Sequence, residues 1–391
     1  MPKFDVTINL PGFTVKKVRG YNPIVYEVRY QGKASCPHCR SKGLRKKDRF
    51  VREVNHETVG LRTSRLRFCG YKYQCRCCGR YFRQRFDGIL PWQRSSEPLR
   101  KQIYHLHTKG VSRRDLGEQL GCSDNTISRW YQHVYHLEDK KRLSMRCPEI
   151  LGIDEHRFNK RIGYMTTFCD LKKHRIFDVT QGKSTQDLAS FLESLEGKER
   201  VKVVCMDMSD GYRSIIRRYF PNAKIVADRF HVVRLVLYHL IKTCQTIDEE
   251  LKTKRGITKL LRMHASRLTA KQSERLKAYF AKQKAIEAIY LFKEKMMTLL
   301  LHKKQTKIQC KEHIAQFLQT IEQLKQISFD SCKTLAKSLL HWQEEIVRMW
   351  RFSKSNGITE GFHRIMKLIQ RRAFGFRNVE NYRMRVRVLC S

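Results

Sequence analysis

Two C-x-x-C pairs stand out first: Cys36 and Cys39 in "CPHC", and Cys75 and Cys78 in "QCRCCGRYF". Four thiolates presented by two tight turns suit one tetrahedral Zn²⁺, and Gly79 suits the turn after the second pair. Cys69 and Cys77 are further thiols close by, so the spacing alone leaves the fourth ligand open. Arg76, Arg80, Tyr81, Phe82, Arg83 and Arg85 crowd the second pair, a composition suited to a ribbon that faces DNA.

The second set is acidic. The apolar run Ile150–Ile153 stops on Asp154 and Glu155, and "VKVVCMDMSDG" stops on Asp207. Much later, "SNGITEGFHRIMKLIQRRAFGFRN" reads as a helix with an apolar stripe of Ile358, Phe362, Ile365 and Ile369. Glu360 falls on the opposite face with Arg364, Lys367 and Arg371, an acid that could hold a metal while its neighbours grip phosphates. Three carboxylates from two strand ends and one helix can hold two Mg²⁺ or Mn²⁺ ions about 3.5–4 Å apart. Such acids repel one another, so grouping them is costly unless they bind cations. Asp210 and Asp228 compete with Asp207 for the second position.

A third motif, "GVSRRDLGEQLGCSDNTISRWYQHV", predicts a helix-turn-helix. One helix runs from about Ser112 to Leu120, Gly121 makes the turn, and Ser123 or Asp124 caps the second helix. Leu116, Leu120, Ile127 and Trp130 form the shared core, which leaves Asn125, Thr126, Ser128 and Arg129 to face the major groove.

The elements that must position these groups follow from pattern. Residues 1–90 read as short strands and turns, and 95–140 as helices. From 150 to 230 the order is β-β-β-α-β-α-β, a mixed sheet with helices. Beyond Pro221 there is no proline, and Gly256 is the one glycine from 232 to 350, so that stretch reads as several helices. The fold class expected is therefore α/β and multidomain.

With Lys+Arg 80 against Asp+Glu 37, the chain carries a formal charge of +43, spread along its length. Extended contact with a polyanion follows, with double-stranded DNA the natural partner. No signal peptide or membrane span is apparent, and paired C-x-x-C motifs point to a reducing, cytoplasmic setting.

Together, the cysteine pairs, the helix-turn-helix, "GIDE", "DMSDGYRSIIRRYFPNAKIVADRFHVV" and "SNGITEGFHRIMKLIQRRAFGFRN" resemble the ISL3 family of insertion-sequence transposases over nearly the whole chain. The resemblance implies an RNase H-like catalytic domain of the DDE type, whose acids fall on Asp154, Asp207 and Glu360. Asp228 then follows the fifth strand, near the site but outside the triad. His231 beside it either positions DNA or the triad, or packs. The layout implied is a zinc ribbon over 1–92, a helix-turn-helix over 93–147 and a catalytic domain over 148–234. An α-helical insertion over 235–350 then precedes the glutamate helix and C-terminus, 351–391. The implied activity is Mg²⁺-dependent cleavage at terminal inverted repeats and strand transfer into target DNA, by a homodimer or larger assembly on the prokaryotic nucleoid. A non-catalytic zinc-ribbon regulator and a metal-dependent nuclease or resolvase are the competing readings.

Overall fold

Period-two alternation near the N-terminus does produce strands, but longer ones than the turn residues suggest. The computed structural model describes residues 7–143, 146–352, 356–373 and 375–390. Strands β1 (Phe13–Arg19), β2 (Ile24–Tyr30), β3 (Leu44–Val59), β4 (Arg62–Cys75) and β5 (Tyr81–Arg83) form one sheet in the order β1-β2-β4-β3, with β5 also on β4. β3 and β4, 16 and 14 residues long, pair from Leu44↔Cys75 to Val59↔Arg62 as a single hairpin. Most of the stretch between the two cysteine pairs is consumed by this hairpin. Its outer strand β3 is studded with Lys and Arg and largely exposed, which discourages edge pairing with another chain. Phe13, Tyr26, Leu66, Phe68 and Phe86 pack beneath the sheet as its core.

Helices α1 (Glu97–Thr108), α2 (Arg113–Leu120) and α3 (Asp124–Leu143) follow. Ser112 and Asp115 cap α2 reciprocally. Gly121 ends it at φ +60°, a left-handed conformation that only glycine adopts without cost. A Cβ on Gly117 would stand 2.7 Å from the Cys122 carbonyl oxygen, so the turn backbone occupies that space. Leu116 and Ile127 are fully buried with Trp130 beside them. All these elements, with Ile369–Arg377, make one compact unit, Met1–Leu143.

The second unit comprises Ser144–Leu368 and Asn378–Ser391. Strands β6 (Ile150–Asn159), β7 (Gly163–Asp170), β8 (Arg175–Gln181), β9 (Val203–Met206) and β10 (Lys224–Ala227) lie in the order β10-β9-β6-β7-β8. The first three strands in sequence are antiparallel, and β6, β9 and β10 are parallel. Helices α4 (Thr185–Ser194) and α5 (Asp210–Tyr219) connect strands. Then come α6 (Arg229–Ile247), α7 (Arg255–Arg262), α8 (Ala270–Lys282), α9 (Lys284–Leu301), α10 (Lys307–Gln326), α11 (Asp330–His341) and α12 (Gln343–Arg351). Two helices close the chain, α13 (Gly357–Arg372) and α14 (Val379–Leu389).

The long helical stretch divides by its cores. Residues of α9 to α12, including Met296, Phe317, Leu335 and Trp350, share one continuous core with the sheet. The end of α6 with α7, α8 and the start of α9 bury a smaller cluster around Leu260, Leu276 and Ile286. Arg229, at the start of α6, ties that helix to the C-terminal ends of α9 and α12. Its Nη2 donates to the carbonyl oxygens of His302 and Met349, both 2.8 Å, and its Nε to that of Leu300 at 3.0 Å. A buried cation among helix-end carbonyls is well placed electrostatically.

Helix α14 lies on β8 through a buried charge cluster. Arg383 grips Asp178 with two hydrogen bonds, 2.8 and 2.7 Å, and Arg387 adds contacts of 3.3 Å. Breaking such a cluster from one side leaves buried charge uncompensated. Asp178→Ala should therefore cost about 3 kcal/mol of stability in chemical denaturation, and a change under 1 kcal/mol would show that α14 is held by packing alone.

Candidate active site and metal centre

The acidic site forms where parallel pairing ends. β6 pairs with β9 only over Ile150–Gly152, whereas its antiparallel pairing with β7 continues to Asn159. Asp154 is thus not the last residue of its strand, as its apolar run implied. It is the second residue beyond the point at which β6 loses β9 as a neighbour. Side chains alternate across the sheet, so Asp154 and Glu155 face opposite ways. Glu155 accepts from the Tyr212 hydroxyl at 3.0 Å and pairs with Lys183 at 3.4 Å. Asp207 directly follows β9, and Asp228 directly follows β10.

His231, one turn into α6, joins the last two acids. Its Nδ1 contacts Asp207 and lies 3.2 Å from Asp228. The three side chains present ligand atoms within 4.8 Å of one another, a group able to hold a cation. Burial disfavours charge on this imidazole, but the hydrogen bonds and charges of the two carboxylates prevail and raise its pKa to about 10. Asp154 is raised to about 7, by burial first and then by the charge of Asp207. These groups therefore crowd negative charge into a partly buried space, with an imidazolium as partial relief.

Asn356 locks the site together. Its Nδ2 donates to the Ile153 oxygen at 2.8 Å and the Cys205 oxygen at 3.3 Å, and its backbone N–H donates to Asp228 Oδ1 at 3.1 Å. One residue at the head of α13 thereby touches β6 and β9 with its side chain and the acid after β10 with its backbone. Gly152 makes the approach possible, since a Cβ there would stand 2.6 Å from Asn356 Oδ1.

Glu360 follows one turn later, with an exposed carboxylate 3.5 Å from Arg364. It is not part of the Asp207–Asp228–His231 group. The predicted apolar stripe of α13 is displaced by one residue. Thr359, His363 and Met366 are the buried face, with Ile369, while Ile365 is 41% exposed and Ile358 and Phe362 are half-buried. The reason is polar. His363 Nδ1 stands 3.7 Å from Asp154, and its Nε2 is 3.2 Å from the Thr167 hydroxyl. Thr167 also meets His156, whose other nitrogen is 3.1 Å from the Tyr382 hydroxyl. Burial and the Lys367 charge push His363 down to about 4, so its ring is neutral beside Asp154. Arg364, Lys367 and Arg371 are exposed, as predicted. Asp210 is turned elsewhere, bonded to His341 at 2.8 Å and Arg213 at 3.3 Å. Neither Asn356 nor His363 is marked by residue pattern as part of the site. A buried polar residue beside a suspected acid is invisible to a hydrophobic-stripe reading.

In the N-terminal unit, the sulfurs of Cys36, Cys39, Cys75 and Cys78 converge within 4.8 Å of one another. Cys36 Sγ and Cys78 Sγ are 3.6 Å apart, and Cys39 Sγ and Cys75 Sγ 3.5 Å. Four thiolates at about 2.3 Å from zinc stand roughly 3.8 Å from each other, so the set could hold that ion. The Cys78 amide, against the cost of burial, pulls the Cys75 thiol down to about 6, with help from the Cys77 amide. Cys77 is exposed and outside the group, and Cys69 accepts from Arg49 at 2.9 Å.

On α3, Asn125 and Arg129 are exposed, whereas Thr126 and Ser128 are half-buried. Ser128 bonds the Tyr131 hydroxyl at 3.4 Å, and Thr126 bonds Ser123 at 3.0 Å. No helix among the described residues is long and apolar enough to cross a membrane.

The profile of a family described as transposase, of the ISL3 DDE type, matches residues 151–386. A protein from Bordetella parapertussis named as the transposase for insertion sequence element IS1001 is 26% identical over 292 residues, covering 69% of this chain and 70% of that relative.

Proposed function

Because the chain belongs to the ISL3 family of transposases, we propose that it cuts the ends of an insertion sequence and joins them to target DNA, with Asp154, Asp207 and Glu360 as its acids. The observation that carries this reading is the convergence of Asp154, Asp207, Asp228 and His231 at the open ends of β6, β9 and β10, clipped by Asn356 to the Glu360 helix. The strand order, three antiparallel and two parallel, supports an RNase H-like catalytic domain, with the acids on its first strand and after its fourth.

Asp154 and Asp207 offer hard oxygen ligands, and Glu360 adds a third from α13. A bound Mg²⁺ or Mn²⁺ would neutralise charge on the phosphate and acidify the attacking water. The water oxygen bonds to phosphorus as the 3′-oxygen leaves, the proton lost by the water being balanced by the one the 3′-oxygen gains. The freed 3′-hydroxyl then attacks a phosphodiester of the target and displaces that strand's 3′-oxygen, which leaves as a hydroxyl. No covalent bond to protein forms. Asp228 and His231 act behind the triad, holding Asp207, and Asn356 fixes the strands that carry the acids. The ribbon, with a zinc ion at Cys36, Cys39, Cys75 and Cys78, and α3, through Asn125 and Arg129, take the terminal inverted repeats. Arg364, Lys367 and Arg371 grip the phosphates near the acids. Two copies of the chain bring two ends together.

The test is labelled DNA carrying the two sequences that flank the gene, incubated with protein and Mg²⁺ or Mn²⁺. Nicking at a defined position near each end supports the proposal. Specific binding without cleavage under either metal would make the protein a regulator instead.

The raised Asp154 pKa gives a second check. With a folded pKa near 7 against an unfolded value near 3.9, the native state holds the proton more tightly. Metal-free stability is therefore lost as pH rises from about 4 through 7. Mn²⁺ should raise Tm clearly at pH 8 and little at pH 5, and Asp154→Asn should abolish the difference. A metal shift independent of pH would place the ion away from Asp154.

A further inference from the structure

The N-terminal unit contains a cleft of about 1030 Å³ between the β3–β5 face and the segment Pro91–Arg94. Its lining does not resemble a surface made only for duplex phosphates. Trp92 is 80% exposed and sits at φ +62°, a left-handed conformation that a bulky side chain adopts at a cost. Arg83 reaches across from β5, its guanidinium 4.8 Å from the Trp92 ring and 5.5 Å from that of Phe50. Arg52 pins the segment to β3, donating to the Gln93 oxygen at 2.5 Å and the Leu90 oxygen at 3.4 Å.

The charges in the cleft are not balanced. Arg52 and Arg83 face one another closely enough for Arg83 to depress the Arg52 pKa, after the larger effect of burial. The acid among the lining residues, Glu53, is bonded to Arg65 at 3.0 Å. An anion is wanted here, beside exposed aromatic faces. A duplex offers the anion but keeps its base faces stacked on one another; an unstacked nucleotide offers both.

We infer that this cleft holds unpaired DNA, with a base stacked on Trp92 and its phosphates on Arg52 and Arg83. The inference rests on the DNA-processing role proposed above: strand ends opened at a cut would supply such a segment. It assigns the ribbon a task separate from duplex contact by α3.

Intrinsic fluorescence can read the site, because Trp92 is exposed while Trp130, Trp342 and Trp350 are 6%, 5% and 0% exposed. Zinc-loaded full-length protein is titrated with a twelve-nucleotide oligothymidine and with a twelve-base-pair duplex at one salt concentration. The single strand should quench the emission and bind more tightly per phosphate. Trp92→Ala should abolish the quenching and weaken single-strand binding about tenfold, with Tm unchanged; Trp92→Phe should retain most of the affinity, and Arg83→Gln should lose it. Equal binding of both DNAs per phosphate, or full single-strand affinity in Trp92→Ala, overturns the inference. End cleavage that persists alongside those results would sink the cleft and spare the transposase mechanism. Quenching by oligothymidine without any end cleavage would do the reverse.

Discussion

Asp154→Asn, Asp207→Asn and Glu360→Gln should each lower metal-dependent nicking at the element ends by about 10³-fold or more, while binding of the same DNA stays within about twofold. Three decades correspond to ~4 kcal/mol of transition-state stabilisation, a reasonable share for a carboxylate that holds a catalytic cation. The Asp154 substitution has a further signature. Its carboxylate is partly buried and destabilised by Asp207, so the neutral amide should leave metal-free Tm at pH 8 unchanged or higher. Loss of cleavage with a preserved or raised Tm cannot be blamed on unfolding. Asp228→Asn serves as the contrast, because Asp228 accepts the Asn356 N–H and holds His231, and is 1% exposed. Cleavage that survives Asp207→Asn but fails in a well-folded Asp228→Asn would move the second catalytic acid to Asp228.

Stripping zinc, or Cys75→Ser, should lower affinity for the element ends about 100-fold, the equivalent of ~3 kcal/mol. The expected damage is local. The aromatic core under β1, β2 and the far half of the hairpin is independent of the cysteines. Hydrogen exchange should therefore accelerate over Leu44–Val51 and Cys69–Cys75, the paired strands next to the sulfurs, and little around Phe13 and Leu66. Cys77→Ser should leave zinc content at one ion per chain, since its sulfur stands outside the group. Full zinc content in Cys75→Ser, or its loss in Cys77→Ser, would overturn the ligand set.

Much of this architecture could be read from residue types because the local signals agreed with the packing. Gly117 and Gly121 announced the turn between α2 and α3, and the left-handed turn and close approach they implied are present. The apolar runs before Asp154 and Asp207 marked two buried strands, and the two C-x-x-C pairs marked converging thiolates. What could not be read depends on contacts distant in sequence. The buried face of α13 is set by Thr167 and Asp154 acting on His363, which a hydrophobic pattern misplaces by one residue. Asn356 has no meaning until β6 and β9 lie side by side. Likewise, nothing local told that α9 to α12 would share the core of the sheet, or that Asp178 would receive two arginines from the final helix.

The long hairpin has one more consequence. It is indexed at both ends: Leu44 and Cys75 are held beside the sulfurs, while His56 bonds Ser96 at 2.8 Å and Thr58 bonds Gln102 at the other. Strand faces alternate with a period of two, so one residue added to one strand between these anchors would turn its side chains inside out. Insertions there are thus subject to a parity rule, relaxed only at the register shifts near Lys46/Asp48 and His56/Val59. Relatives should lengthen this arm in matched pairs of residues, or place an odd residue at those two irregularities.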